Sequence, residues 1–135
     1  MGNMITMTRD LDIPGSQSTP AIQSSWQAGR LSMQGDSYPE NSYELFDQVI
    51  DWVRSFLDNE ARPLHLSLKL VYLNTSSVKA MMDIFDLLEE AHGEGREVAV
   101  EWHYDARNER IAELADEFRE DCSYPFAITP TATPA

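Results

Sequence analysis

The sequence predicts a single α/β domain in which helices cover mainly one face of a mixed β-sheet. Three observations carry that prediction. Two segments alternate strictly: Leu64, Leu66, Leu68 and Leu70 against His65, Ser67 and Lys69, then Val98, Val100, Trp102 and Tyr104 against Glu97, Ala99, Glu101 and His103. Between them runs a helical stretch, about Ser76 to His92, closed by Gly93-Glu94-Gly95. This is a βαβ unit, so the two strands are expected to be parallel neighbours with a right-handed crossover. The alternation itself argues for one wetter sheet face, since a doubly wound sheet would make both strands almost continuously apolar.

The remaining elements follow from turn and cap signals. Thr19 to Trp26 and Arg30 to Gly35 read as a hairpin joined by Gln27-Ala28-Gly29. Asn41 suits a helix N-cap, and Glu44 three residues later suits a capping box. The helix from there to about Leu57 lines up Leu45, Phe46, Val49, Ile50, Val53, Phe56 and Leu57 on one side. A third helix, about Asn108 to Asp121, presents Ile111, Leu114, Ala115 and Phe118. A short strand from about Phe126 to Thr129 finishes the sheet. The expected order is therefore β-β-α-β-α-β-α-β over residues 11–128, with flexible tails at 1–10 and 129–135.

Charge and composition exclude more than they assign. The 135-residue chain carries 23 acidic and 10 basic residues, a net charge of −13. That field repels phosphate backbones and anionic surfaces, so no nucleic-acid partner is expected. No apolar run approaches the ~20 residues that span a bilayer, so no membrane insertion is expected. Met1 to Asp10 has neither a basic start nor an apolar stretch, and the single Cys122 cannot form an internal disulfide. A cytoplasmic location is expected.

Catalytic signatures are missing. Gly93-Glu94-Gly95 lacks the further Gly, Lys and Ser/Thr of a phosphate-binding loop. His65, His92 and His103 have no metal-ligand spacing, so neither a metal nor a cofactor is expected. Cys122 sits beside Glu120 and Asp121, whose charge raises a thiol pKa rather than activating it. Trp26, Trp52 and Trp102 suit a core better than a base-stacking platform. No catalytic residue is assigned.

The segment Tyr72-Leu73-Asn74-Thr75-Ser76-Ser77-Val78-Lys79 joins a buried strand to a helix at the carboxyl end of the sheet, where open α/β folds place function. Thr75 is expected in the N-cap region. A phosphoryl group there would face free backbone N–H groups and the positive end of the helix dipole. An ordinary Thr/Ser cap explains the same residues. The following helix has an apolar arc of roughly 220°, where one sheet face needs only about 100°. Its surplus, including Ala80, Ile84 and Leu87, either meets a partner or packs on the first or third helix.

Four separated motifs, in order, make the chain recognisable: Ile13-Pro14-Gly15 with Thr19-Pro20, then Gly35-Asp36-Ser37-Tyr38-Pro39-Glu40-Asn41, Tyr72-Leu73-Asn74-Thr75-Ser76-Ser77, and Trp102-His103-Tyr104. From about Leu11 to Ile128 the sequence resembles the SiaC family of regulatory phosphoproteins, whose domain is similar to the STAS domains of anti-sigma-factor antagonists. The resemblance implies a STAS-like partner-switching protein rather than an enzyme. Thr75 looks like the phosphorylated residue, with Ser76 the runner-up. In the broader STAS pattern this stretch reads Asp-Ser-Ser/Thr-Gly; here Asn74 replaces the acid and Ser77 the glycine.

The unphosphorylated form is implied to bind and activate a diguanylate cyclase in cyclic di-GMP signalling, which governs biofilm formation. A protein kinase would modify Thr75 and a PP2C-type phosphatase would restore it. The alternative is an anti-sigma-factor antagonist that binds an anti-sigma kinase. The expected partner surface comprises Asn74, Ser76, Ser77, Lys79, Ala80, Asp83, Ile84 and Leu87, around the start of the helix and along its apolar stripe.

Overall fold

The structure, a computed structural model, describes residues 10–131. Of the predicted tails at 1–10 and 129–135, residues 1–9 and 132–135 lie outside the described residues. In chain order the elements are β1 (Asp12–Ile13), β2 (Ala21–Ser25), β3 (Arg30–Ser37), α1 (Ser42–Asn59), β4 (Leu64–Leu73), α2 (Thr75–Gly93), β5 (Val98–Asp105), α3 (Glu109–Glu120) and β6 (Phe126–Thr131). One six-stranded sheet has them in sequence order, β1-β2-β3-β4-β5-β6. The pairs β1–β2 and β2–β3 are antiparallel, and β3–β4, β4–β5 and β5–β6 are parallel. The expected parallel neighbours are present, with Leu64 opposite Val98 and Leu68 opposite Trp102.

Three crossovers advance in the same direction across the sheet. Right-handed connections that advance one way put their helices on one side, and the burial pattern agrees. Leu31, Met33, Leu64, Leu66, Leu68, Leu70, Val98, Val100 and Trp102 are buried beneath the helices. On the opposite face Ser32, His65, Ser67, Glu101 and His103 are partly exposed and Lys69 is exposed. There Glu101 bridges two histidines, 3.2 Å from His103 Nε2 and 3.4 Å from His65 Nε2.

The core joins α1 to the hairpin through aromatic rings. Trp52 stacks on Phe56 at 5.7 Å, and Trp26 meets both edge-on. A second group under α2 and α3 brings Phe85 within 5.0 Å of Phe118, and Trp102 stacks on Phe118 at 5.9 Å. The three tryptophans are core residues.

One strand and two boundaries differ from expectation. β1 has only two residues, too few for alternation to register, and its position is secured by the Ile13–Ile22 pairing. β6 continues through Thr129 and Pro130 to Thr131. It is an edge strand, where proline's missing N–H is tolerated. Asp10 is tied in as well: its carboxylate accepts from the Trp26 backbone N–H at 2.8 Å and from Trp52 Nε1 at 3.3 Å.

Candidate functional site

The site forms where β3 and β4 end and α1 and α2 begin. Near the end of β4 the register against β3 shifts: Gly35 faces Leu70, but Asp36 faces Tyr72. The extra residue, Val71, makes a bulge that turns the strand end, and both Val71 and Tyr72 are exposed. Tyr72 meets Tyr38 edge-on at 6.0 Å, so two aromatic rings flank the junction.

Asn74, not Thr75, caps α2. Its side-chain oxygen accepts from the Ser77 N–H at 2.9 Å, and its carbonyl accepts the first helical bond, from Val78 N–H at 2.9 Å. Thr75 is therefore the first helical residue, which corrects its placement as the cap. Its N–H and that of Ser76 precede the first intrahelical bond and point out of the helix.

The hydroxyls at this junction fall into three environments. Ser77 is fully buried and bonds Ser37 Oγ at 2.8 Å. Ser76 bonds Ser42 Oγ, on the first residue of α1, at 2.5 Å, and donates to Asn74 Oδ1 at 3.3 Å. Thr75 is exposed, and no hydrogen bond to its hydroxyl is present among the described residues. Of the three, the Thr75 hydroxyl alone is both accessible and unengaged.

The electrostatics single out the same helix. α1 and α3 carry Glu44 and Glu109 in their first turns, whereas the first turn of α2 has no acid. The positive end of the α2 dipole is thus left without a carboxylate at Thr75. Lys79, one turn on, is exposed and lies 3.8 Å from Asp83.

The expected partner surface divides. Ser76, Lys79 and Asp83 are exposed, and Asn74 and Leu87 are partly exposed. Ser77, Ala80 and Ile84 are buried, at 0%, 8% and 0% exposure, so their side chains offer no docking surface. The reason is the position of α2 as the middle helix. Its arc is wide because the sheet and both neighbouring helices cover it, α1 sitting over the Ala80 side. The exposed apolar residue of α2 is Met82, on the side facing α3, at 48%. Ser37 and Ser42 are residues of this junction that periodicity does not pick out.

Cys122 is partly buried and bonds the Phe118 carbonyl and Tyr124 Oη, at 3.3 and 3.2 Å. Burial pushes its thiol pKa up, and Glu89, Asp121 and Asp86 add to the effect. Among the described residues no group of three or more His, Cys, Asp or Glu could hold a metal ion. No helix among them is long and apolar enough to cross a membrane.

Known proteins resemble this chain in both sequence and fold. A family model described as "SiaC family regulatory phosphoprotein" matches residues 13–131. A protein of Pseudomonas aeruginosa strain UCBPP-PA14, itself called uncharacterized, is 77% identical over 119 residues, spanning 88% of this chain and 94% of its own. The crystal structure of apo-SiaC from Pseudomonas aeruginosa superposes with a TM-score of 0.86 at 74% identity, covering 90% of this chain and 98% of that one. A further crystal structure holds the Pseudomonas aeruginosa diguanylate cyclase SiaD in complex with its activator SiaC. The matching chain there gives a TM-score of 0.88 at 75% identity, covering 90% of this chain and all of its own. By sequence and by fold, this chain belongs to the SiaC family of regulatory phosphoproteins.

Proposed function

We propose that this protein is a non-enzymatic cytoplasmic switch whose unphosphorylated form binds and activates a diguanylate cyclase of the SiaD type. A kinase withdraws it by phosphorylating Thr75, and a PP2C-type phosphatase returns it. The observation that carries the reading is the state of Thr75: an exposed, unengaged hydroxyl on the first residue of the helix whose first turn has no acid. The family membership and the relative's complex with SiaD support the choice of partner.

The chemistry is additive and local. A phosphothreonine brings about 1.5–2 negative charges. At Thr75 they meet the outward N–H groups of the first turn of α2, so the domain tolerates the group. A partner docked on this surface does not, because burying a dianion without a cationic partner is costly. The accessible contact residues are Thr75, Ser76, Lys79, Asp83 and Met82.

The test is a cyclase assay. Unmodified protein is expected to raise cyclic di-GMP formation by SiaD, and protein phosphorylated at Thr75 is not. Phosphate found solely outside residues 75–77, or equal activation by both forms, contradicts the reading. An anti-sigma kinase that binds the unmodified protein in place of the cyclase would favour the antagonist alternative.

A further inference from the structure

We propose that the cleft where β4 and β5 part binds a small hydroxylated anion, a carboxylate or a phosphate ester. The two strands pair only as far as Leu68 and Trp102. Beyond that point β4 continues to Leu73 against β3, and β5 continues to Asp105 against β6. The sheet therefore forks between two of its inner parallel strands, at their carboxyl ends, where open α/β sheets take ligands. A cavity of about 560 Å³ lies in the fork, within the range of about 300–1,000 Å³ typical of small-molecule sites. Lys69 and Val71 line one side, His103 and Asp105 the other, and the loop between β1 and β2 walls it with Gly15 and Thr19. Gly15 and Thr19 belong to the first motif of the sequence and His103 to the last, neither of which enters the Thr75 junction.

The fork leaves a backbone donor for a ligand. Alternate residues of β4 direct their backbone groups at β5, as the Leu64 N–H does in bonding the Glu97 carbonyl at 3.1 Å. Leu70 follows Leu68 in that series and has no ladder partner across the fork among the described residues. Side chains take the freed acceptors: Trp102 Nε1 donates to the Leu70 carbonyl at 3.4 Å, and Asn108 Nδ2 to the Val71 carbonyl at 3.2 Å. The Leu70 N–H has no such substitute. Leu70 is buried, and a buried backbone N–H without a partner is rare, so an acceptor on a ligand would complete it.

The charges favour an anion there. Lys69 is exposed at the cleft and makes no ion pair among the described residues. Asp105 is the one acid among the described lining residues, and Arg107 holds its carboxylate at 3.0 Å. Glu101, 3.2 Å from His103 Nε2, orients that ring from below the fork. Asp36 and Glu109, next in sequence to the cleft residues Gly35 and Asn108, do not line it. One ammonium and one backbone N–H suit a single carboxylate or phosphate head. The Gln34 amide and the Thr19 hydroxyl, also in the lining, suit a hydroxylated body.

Amide NMR spectra of the full chain, titrated with malate, glycerol 3-phosphate and glycerol, test the site. At least one of the two anions is expected to give saturable shifts at Leu70, Val71, His103 and Tyr104. Saturation by malate alone makes the ligand a carboxylate, and by glycerol 3-phosphate alone a phosphate ester. Neutral glycerol is expected to give no shift there. Lys69→Gln should weaken the binding at least ~10-fold, because a charge-assisted hydrogen bond is lost. Arg54→Gln, which removes an exposed cation from α1, should leave it unchanged. The amide spectrum of each variant also establishes that it is folded. The inference is overturned if neither anion gives saturable shifts at the fork, or if glycerol shifts the same amides equally. It is overturned too if Lys69→Gln binds as the unaltered protein does, or if Arg54→Gln weakens binding as much. None of these results depends on Thr75, so the proposed function stands or falls separately.

Discussion

Ser37 Oγ and Ser77 Oγ lie 2.8 Å apart in a fully buried contact between the last residue of β3 and the first turn of α2. The Ser37 carbonyl also accepts from the Asn74 N–H at 2.9 Å. One serine thus ties the sheet to both the cap and the start of α2. Removing either hydroxyl strands the other without a partner, a cost of about 1–3 kcal/mol. Ser77→Ala and Ser37→Ala should each destabilise by that amount, and the double variant by less than the sum. Urea unfolding of the three variants measures the coupling.

The cap and the proposed phosphate acceptor are adjacent residues with separable roles. Asn74→Ala should cost about 1 kcal/mol, because the Ser77 N–H loses its acceptor. Thr75→Ala should stay within ~0.5 kcal/mol, as its hydroxyl is unengaged, yet abolish modification by the cognate kinase. Thermal melts and phosphopeptide mapping on the same two proteins separate the effects. Continued modification of Thr75→Ala at Ser76 would reverse the assignment.

Ile84 belongs to the core. Ile84→Asp places a carboxylate at a position with no exposure and should cost ~4 kcal/mol or more, much of a total of ~5–15 kcal/mol. Circular dichroism should show loss of the native state at moderate temperature. A folded Ile84→Asp protein of ordinary stability would contradict the packing of α2.

Glu101 supplies a pH dependence on the open sheet face. The hydrogen bond with His103, with His65 contributing, holds its carboxyl below the usual range despite some burial. A carboxyl depressed in the folded state stabilises fully above its unfolded value of ~4.3 and loses that contribution as pH falls through the lower folded value. The stability gap between the unaltered protein and Glu101→Gln should therefore narrow as acid denaturation proceeds below that pH. Salt should shrink the gap as well, since the carboxylate is solvent-exposed. Parallel urea titrations from neutral pH down through the carboxylate range measure it.

Much of this fold is legible because its strands alternate. Leu64 to Leu70 and Val98 to Tyr104 declare both the parallel pair and the one-sided covering. β1 is not legible, since two residues carry no period and only the pairing of Ile13 with Ile22 creates the strand. β6 runs further than Thr-Pro-Thr suggests because an edge strand tolerates Pro130. At the site, Thr75 stands out by its position after a buried strand and by family resemblance. What a linear sequence does not convey is the partnering of equivalent hydroxyls: Ser76 with Ser42 and Ser77 with Ser37 are contacts 34 and 40 residues apart. The width of the α2 arc is visible in its periodicity, but periodicity does not say which neighbour covers each part. Ile84 and Ala80 turn inward for that reason, and the free apolar side chain is Met82.

Phosphate on Thr75 should decide whether this protein engages its cyclase. Calorimetric titration of SiaD with unmodified protein, and with protein stoichiometrically phosphorylated at Thr75, measures that dependence without an intermediary. A well-defined binding isotherm is expected for the unmodified form. The phosphorylated form should lose at least ~100-fold in affinity, because a dianion is forced into a contact without a cationic partner. Equal affinities for the two forms would contradict the switch and leave Thr75 an ordinary first residue of a helix.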